Sequence, residues 1–282
     1  DSLIGHGSLR IAIAGNSMKP LSEPELMMME QMLDDALVQG AIGFSTGLMY
    51  APGSGAPTSE LERLCAIVAK HEKIYCTHMR DYGFRLLEAI DEQVNLARKT
   101  GCRLQISHLQ AVFRANRDLN ERALERIEEA HISGVDIAFD CYPYTAGSTV
   151  MTQWLPQSAL EGGTEKLLLR LATPKERGRI AEEMLAGMAH SWSELLISAV
   201  GSDANAYAVG KTIEELSARR NQSPADVVFD LLLEEKGAVN ILEFNQSEEN
   251  LRRNLNHPLS VIISDGFYVK GRPHPLLHGT FP

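Results

Sequence analysis

Lys73-Ile74-Tyr75-Cys76-Thr77-His78 and Arg103-Leu104-Gln105-Ile106-Ser107-His108 are the two stretches that decide the fold. In each, a short β-rich run ends on a histidine. Three further runs of the same kind flank them: Leu9-Arg10-Ile11-Ala12-Ile13, Ala41-Ile42-Gly43-Phe44-Ser45 and Val135-Asp136-Ile137-Ala138-Phe139. Their starts lie roughly 31 residues apart, the allotment per unit when a (β/α)₈ barrel spends about 250 residues on eight units. Helical signals fill the gaps. Ser22 with Glu25 forms a capping-box pattern ahead of Leu26, Met29, Leu33 and Leu37, and Gly40 supplies the stop. Ser59 and Glu62 repeat the start before Leu61, Leu64, Cys65 and Val68. Leu87, Ile90, Val94 and Ala97 line a third helix that stops at Gly101, and Asn120 caps a fourth that stops at Gly134. Strands alternating with helices at this spacing predict an α/β protein with a parallel sheet covered on its faces. A TIM-type barrel is favoured over a doubly wound sheet because polar residues collect at the C-terminal ends of the strand runs.

The rhythm changes after Thr149. Before the strand-like Ser260-Val261-Ile262-Ile263-Ser264 lies helical material (175 to 188, 212 to 220 and 224 to 235) and the short Asn240-Ile241-Leu242-Glu243-Phe244. Residues from about 150 to 258 are expected to be an elaborated crossover within a single hydrolase-type domain spanning 1–282. The composition fits a large core: 282 residues, 44% hydrophobic, with no apolar run of the roughly 18 residues that a membrane span needs. A formal net charge of -10 and the lack of a Lys/Arg cluster argue against a nucleic-acid surface. Cys65, Cys76, Cys102 and Cys141 sit in apolar segments without a C-x-x-C pair, which reads as reduced thiols in a cytoplasmic protein. The first residue is Asp1 rather than Met, and no basic start precedes an apolar block, so no secretory leader is expected.

His78 and His108 stand at equivalent places, one βα unit apart. Neighbouring strand ends in a parallel sheet lie about 4.8 Å apart, so both imidazoles can reach one ion, and neutral imidazole is the commonest protein ligand for zinc. Two unrelated loop histidines are the competing reading; the matched placement favours the shared role. Asp265 follows Ile262-Ile263-Ser264 and precedes Gly266. In a closed barrel the last strand returns to the first, and Asp265 then faces the same opening, where a carboxylate can ligate a metal and also move a proton. An aspartate opening an ordinary turn before Gly266 is the alternative.

Longer blocks carry a family resemblance. Gly40-Ala41-Ile42-Gly43-Phe44-Ser45-Thr46-Gly47-Leu48-Met49-Tyr50, Tyr75-Cys76-Thr77-His78-Met79-Arg80-Asp81 and Ile106-Ser107-His108-Leu109 resemble the N-acyl-D-amino-acid deacylases of the amidohydrolase superfamily. So do Asp140-Cys141-Tyr142-Pro143-Tyr144-Thr145-Ala146-Gly147-Ser148-Thr149, Ser264-Asp265-Gly266 and His278-Gly279-Thr280-Phe281-Pro282. The resemblance implies a zinc-dependent amidase on a distorted barrel, with His78 and His108 as ligands on strands five and six and Asp265 as catalytic and metal-binding residue on strand eight. One zinc ion or two are implied. It also makes the run around Leu9 the counterpart of strand three, so the chain would hold strands three to eight of an incomplete barrel. The family's His-x-His pair, its metal-binding cysteine and its small β domain would then lie outside the chain. No His-x-His occurs here, and none of the four cysteines takes that ligand's place.

Tyr142 and Arg80 are candidates to hold a substrate carboxylate or a developing oxyanion, against loop packing and surface pairing as the plainer role. Ser148 resembles a residue lining the family's side-chain pocket. His6, in Gly5-His6-Gly7, resembles a supporting position, and His274 is expected at the rim. Gln110 stands where the family usually has lysine, and Leu276 where it usually has arginine. Losing two cations weakens the case for a free α-carboxylate on the substrate, because a buried carboxylate needs pairing; Arg114 and Arg272 are candidate replacements. The expected partner is therefore a small N-acyl amino acid or a related amide, with no nucleic acid and no membrane. Hydrolysis of a linear N-acyl amide leads; a cyclic amide, another amide without a free carboxylate, and a catalytically incompetent piece of such an enzyme are the alternatives. Oligomeric state is left open by the sequence.

Overall fold

A computed structural model of the chain describes residues 2–188 and 191–266. The elements run in the order β1 (Leu3–Gly5), α1 (His6–Ala14), α2 (Glu23–Val38), β2 (Gly43–Gly47), α3 (Thr58–Lys70), β3 (Ile74–His78), α4 (Leu86–Thr100), β4 (Arg103–Ile106), α5 (Leu119–Ile132) and β5 (Ile137–Cys141). They continue with β6 (Gly147–Val150), α6 (Gln157–Leu160), α7 (Gly163–Ala172), α8 (Pro174–Ala186), β7 (Leu195–Val200), α9 (Ile213–Arg220), α10 (Pro224–Glu234), β8 (Val239–Glu243), α11 (Glu248–Leu255) and β9 (Ser260–Ile262). The described residues fall into two compact units. One holds 2–112, 116–143 and 248–263, and the other holds most of the remainder, chiefly 144–247. No helix among the described residues is long and apolar enough to cross a membrane.

The first unit is built on a parallel sheet in the order β1-β2-β3-β4-β5-β9. Its strands lie side by side in chain order, without the reversal that defines a doubly wound sheet. α2 packs on α3, α3 on α4 and α4 on α5, as successive right-handed crossovers require. Six parallel strands in sequence are an incomplete TIM-type barrel; within the described residues the sheet does not close. The helices follow their end signals. Ser22 and Glu25 complete the capping box of α2, and Gly101 ends α4 in the left-handed region at φ 75°. Gly43 is required by close approach, since a Cβ there would stand 2.2 Å from the carbonyl oxygen of Ile74 on β3. Phe44 and Tyr75 stack at 5.8 Å beneath the C-terminal end of the sheet, and the buried Tyr75 hydroxyl donates to Gln93 on α4.

Two expectations are corrected here. The run Leu9–Ile13 is helical, inside α1, and the first strand is the shorter Leu3–Gly5. The buried set His6, Leu9 and Arg10 follows the i, i+3, i+4 spacing of a helix. An arginine in that set obscures the period, although its side chain is fully buried. Arg10 donates to both Glu60 oxygens at 2.8 and 2.7 Å and to the Lys19 carbonyl at 2.6 Å, while His6 Nε2 lies 2.7 Å from Glu60 Oε1. Burial pushes the Glu60 carboxyl up, but His6 and Arg10 outweigh it and hold it below its usual range. The second correction concerns Asn120. α5 starts one residue earlier, and Asn120 is buried in it, exchanging amide bonds at 2.9 and 3.2 Å with Asn254 of α11.

The second unit centres on an antiparallel sheet, β6-β8-β7. Helices α7 and α10 pack together, as do α9 and α10, over a core that includes Leu167, Leu171, Val228, Phe229 and Leu232. The stretch expected as helix and short strand between 175 and 244 is found close to where it was read. β6, β7, α6 and α7 had not been anticipated.

Removing the carboxylate that holds Arg10 leaves a buried cation unpaired. Glu60→Ala is expected to cost about 3–5 kcal/mol of stability in urea unfolding; a loss below about 1 kcal/mol would place the change among ordinary surface substitutions and sink this account.

Candidate metal centre

The parallel register pairs Thr77 of β3 with Ile106 of β4, so the residues after each pairing emerge together at the C-terminal end of the sheet. His78 closes β3. His108 lies just past β4, where the backbone turns into the left-handed region at φ 38°. The two imidazole centroids stand 4.6 Å apart at 72°, and His78 Nδ1 lies 2.9 Å from His108 Nε2. Burial pushes both imidazoles down, His78 further still through the neighbouring His108, and His108 to about 4. Both rings are therefore neutral near pH 7, with lone pairs available to a metal.

The facing nitrogens stand at hydrogen-bond distance, closer than the roughly 3.3 Å between two donors on one tetrahedral zinc at about 2.05 Å each, so a small parting of the rings would admit the ion between them. The other two ring nitrogens, His78 Nε2 and His108 Nδ1, are buried without a hydrogen-bond partner. A neutral pair can satisfy one nitrogen of each ring through the other and no more. These residues fit a zinc ion as two of its ligands. Among the described residues no group of three or more His, Cys, Asp and Glu gathers to hold a metal. Cys76, two residues before His78, has its thiol pushed up to about 11, first by burial and then by Asp140, and so stays protonated.

Tyrosines wall the pair. Tyr50 lies 4.8 Å from His78 between centroids, Tyr82 lies 5.0 Å from His78 and 5.1 Å from His108, and Tyr142 lies 6.3 Å from His108. Tyr82 also ties the two strand ends together. Its hydroxyl accepts from the Met79 amide at 2.9 Å and donates to the Ser107 carbonyl at 3.0 Å, one residue from each histidine. Tyr142 is buried and donates to Gln110 Oε1 at 2.9 Å. The amide of Gln110 is thereby turned so that its N–H groups are the end left to meet a ligand.

The remaining expected site residues lie as follows. Arg80 reaches Glu92 on α4 through Nε at 2.9 Å and the carbonyls of Ser54 and Ala56 at 3.2 and 2.7 Å, which fastens the loop after β2 to α4. Ser148 sits on β6 opposite Leu242, in the second unit. Asp265 also belongs to the second unit; it is exposed, at φ 50°. His6 is committed to Glu60, and Arg114 is exposed. His274, Leu276, Arg272 and the block 278–282 lie outside the described residues. The roles of Tyr50 and Tyr82 were not read from sequence. Tyr50 closes a family-like block and Tyr82 opens the loop after His78, but only the fold shows which rings those side chains meet.

The chain thus joins a sequential parallel β/α sheet to two neutral histidines at adjacent strand ends. No family model matches the chain. It is 31% identical over 280 residues to an N-acyl-D-glutamate deacylase of Alcaligenes xylosoxydans xylosoxydans, covering 99% of this chain and 49% of that protein. The crystal structure of N-acyl-D-glutamate deacylase from Bordetella bronchiseptica, complexed with zinc and a phosphonate inhibitor that mimics the tetrahedral intermediate, superposes with TM-score 0.78 at 26% identity. That match covers 99% of this chain and 50% of that one. A D-aminoacylase structure described for its binuclear metal centre gives TM-score 0.76 at 29% identity, over 99% of this chain and 50% of its own. Over the half that it shares with them, the chain is similar to N-acyl-D-amino-acid deacylases. It spans about half the length of the curated relatives it matches.

Tyr82→Phe is expected to cost about 1–3 kcal/mol, because the buried Met79 amide loses its acceptor. Zinc affinity, read by competition with a chelator, should fall with it; unchanged stability together with unchanged affinity would refute the tether.

Proposed function

We propose that the chain carries the histidine half of a zinc site for hydrolysis of a linear amide, most simply an N-acyl-D-amino acid cleaved to a carboxylate and a D-amino acid. The observation that carries this is the buried, neutral His78–His108 pair, whose facing nitrogens, His78 Nδ1 and His108 Nε2, stand 2.9 Å apart. When bound, zinc would supply a Lewis acid for the amide carbonyl and lower the pKa of a water toward 7. His78 and His108 would hold it, with one metal or two, and further donors would come from beyond the pair. Asp265, on its resemblance to the family's aspartate, would take the proton of the attacking water and return it to the departing amine. Tyr142 and Gln110 would face the substrate as neutral hydrogen-bonding groups. Support comes from relatives that are N-acyl-D-amino-acid deacylases, one of them solved with zinc. The small amide is the proposed partner, and the cytoplasm the proposed location.

A second reading has one observation in its favour. Tyr142 holds Gln110 through its amide oxygen, which leaves N–H donors but no cation to pair with a free carboxylate. An amide without that group, cyclic or otherwise, would suit it better.

Elemental analysis and activity should be measured on the 282-residue chain and on a longer protein containing it. Zinc near stoichiometry, lost in His78→Ala and His108→Ala, is expected. So is turnover of N-acetyl-D-amino acids by the longer protein, abolished in Asp265→Asn with metal retained. Turnover confined to cyclic or carboxylate-free amides would select the second reading. Metal-free protein from both would mean an incompetent scaffold and end the proposal.

A further inference from the structure

We infer that Asp140 is a positioning residue for His108, a role that rests on the metal-site reading above but whose geometry stands without metal. Three bonds from this one residue bracket the turn that carries the histidine. Asp140 Oδ1 accepts the His108 amide at 2.6 Å, Oδ2 accepts Gln105 Nε2 at 2.8 Å, and the Asp140 carbonyl accepts the Leu109 amide at 2.8 Å.

His108 needs such a hold. Its backbone stands at φ 38°, in the left-handed region that is unfavourable to a residue with a Cβ. Without Asp140 its buried N–H would also have no acceptor. A carboxylate meets both needs, since a charge-assisted bond to an amide is shorter and stronger than a neutral one. Gln105, on β4, prevents the carboxylate from rotating away. The peptide that Asp140 grips is the one whose orientation sets the direction of the His108 Cβ, and so the 2.9 Å approach of the two imidazoles. Asp140 sits on β5, the next strand along. The turn after β4 is thus held by its neighbour across the ladder, not by its own sequence.

Asp140→Ala and Asp140→Asn separate this role from general stability. Asparagine keeps a carbonyl oxygen for the His108 amide, and a flipped Gln105 side chain can accept from the new amide. In metal-free protein, amide exchange at His108 should accelerate in the alanine variant far more than at core amides of β3 and β5, and stay near wild type in the asparagine variant. Zinc affinity should fall about 10–100-fold in the alanine variant, the range for partners that orient a ligand histidine, with asparagine restoring most of it. Wild-type exchange at His108 in a folded alanine variant would overturn the inference, and so would loss of affinity no greater than the asparagine variant's. If the wild-type chain binds no zinc, the metal-site reading fails, while exchange at His108 still decides the role of Asp140. Should the alanine variant not fold, Asp140→Ser, whose hydroxyl stops short of the His108 amide, takes its place with the same expected outcomes.

Discussion

The parallel register between β3 and β4 is the constraint on which the site depends. Pairing Thr77 with Ile106 brings out two histidines at neighbouring strand ends, and a slip of one residue would turn one of them to the opposite face of the sheet. The register itself rests on burial. Tyr75, Thr77, Leu104 and Ile106 are all buried, so a shifted pairing would carry apolar side chains into water. The same packing excludes water from the imidazoles and keeps them neutral. A hydrophobic preference at the base of the strands thereby becomes metal-ligand chemistry at their ends.

Three histidines in the first unit follow parallel strands, and the protein treats them differently. His6, after β1, is given Glu60, and the carboxylate in turn takes Arg10. That cluster is nearly closed on itself: its acid is neutralised by two partners, and it fixes α1 against α3. His78 and His108 are given no carboxylate, only each other. His6 Nδ1 and Arg10 Nε are also buried without a partner, so an orphaned nitrogen does not by itself mark a ligand site; what sets His78 and His108 apart is that two neutral rings turn a nitrogen towards each other. The two arrangements differ in the partner each histidine takes: a carboxylate for His6, a second neutral imidazole for His78 and His108.

The strand ends were legible because the chain announces them: apolar runs at an even step, each closed by a polar residue. His78, His108 and their proximity followed from that rhythm. The helices do end just before Gly40, Gly101 and Gly134, while of their starts only Ser22 is where it was read, Ser59 lying inside α3 after Pro57. The first strand was misplaced because Arg10 is buried against Glu60, far along the chain, and a helix face containing an arginine does not read as apolar. Asn120 was misread for a similar reason, as its partner Asn254 lies in another element. β6 and β7 escaped because Gly147-Ser148-Thr149-Val150 has no alternation and owes its strand form to β8. Tyr82 and Asp140 were illegible in principle: one acts through backbone groups of two different strand ends, the other across a ladder.

Two imidazoles fill two of the three protein positions that a catalytic zinc takes. On the proposed reading the pair would fix where a metal is held and leave its completion to a donor beyond the pair, so that affinity would measure what surrounds the pair as well as the pair itself. Substrate choice is set apart from this. The histidines are fixed by strands and by one carboxylate on the adjacent strand, whereas Gln110 and Tyr142 stand in the segments after β4 and β5, where residues can change without disturbing the sheet. A replacement of lysine by glutamine at such a position alters what is recognised and leaves the metal geometry alone. That separation ties the histidine pair to the sheet and leaves whatever is recognised beside it to the loops.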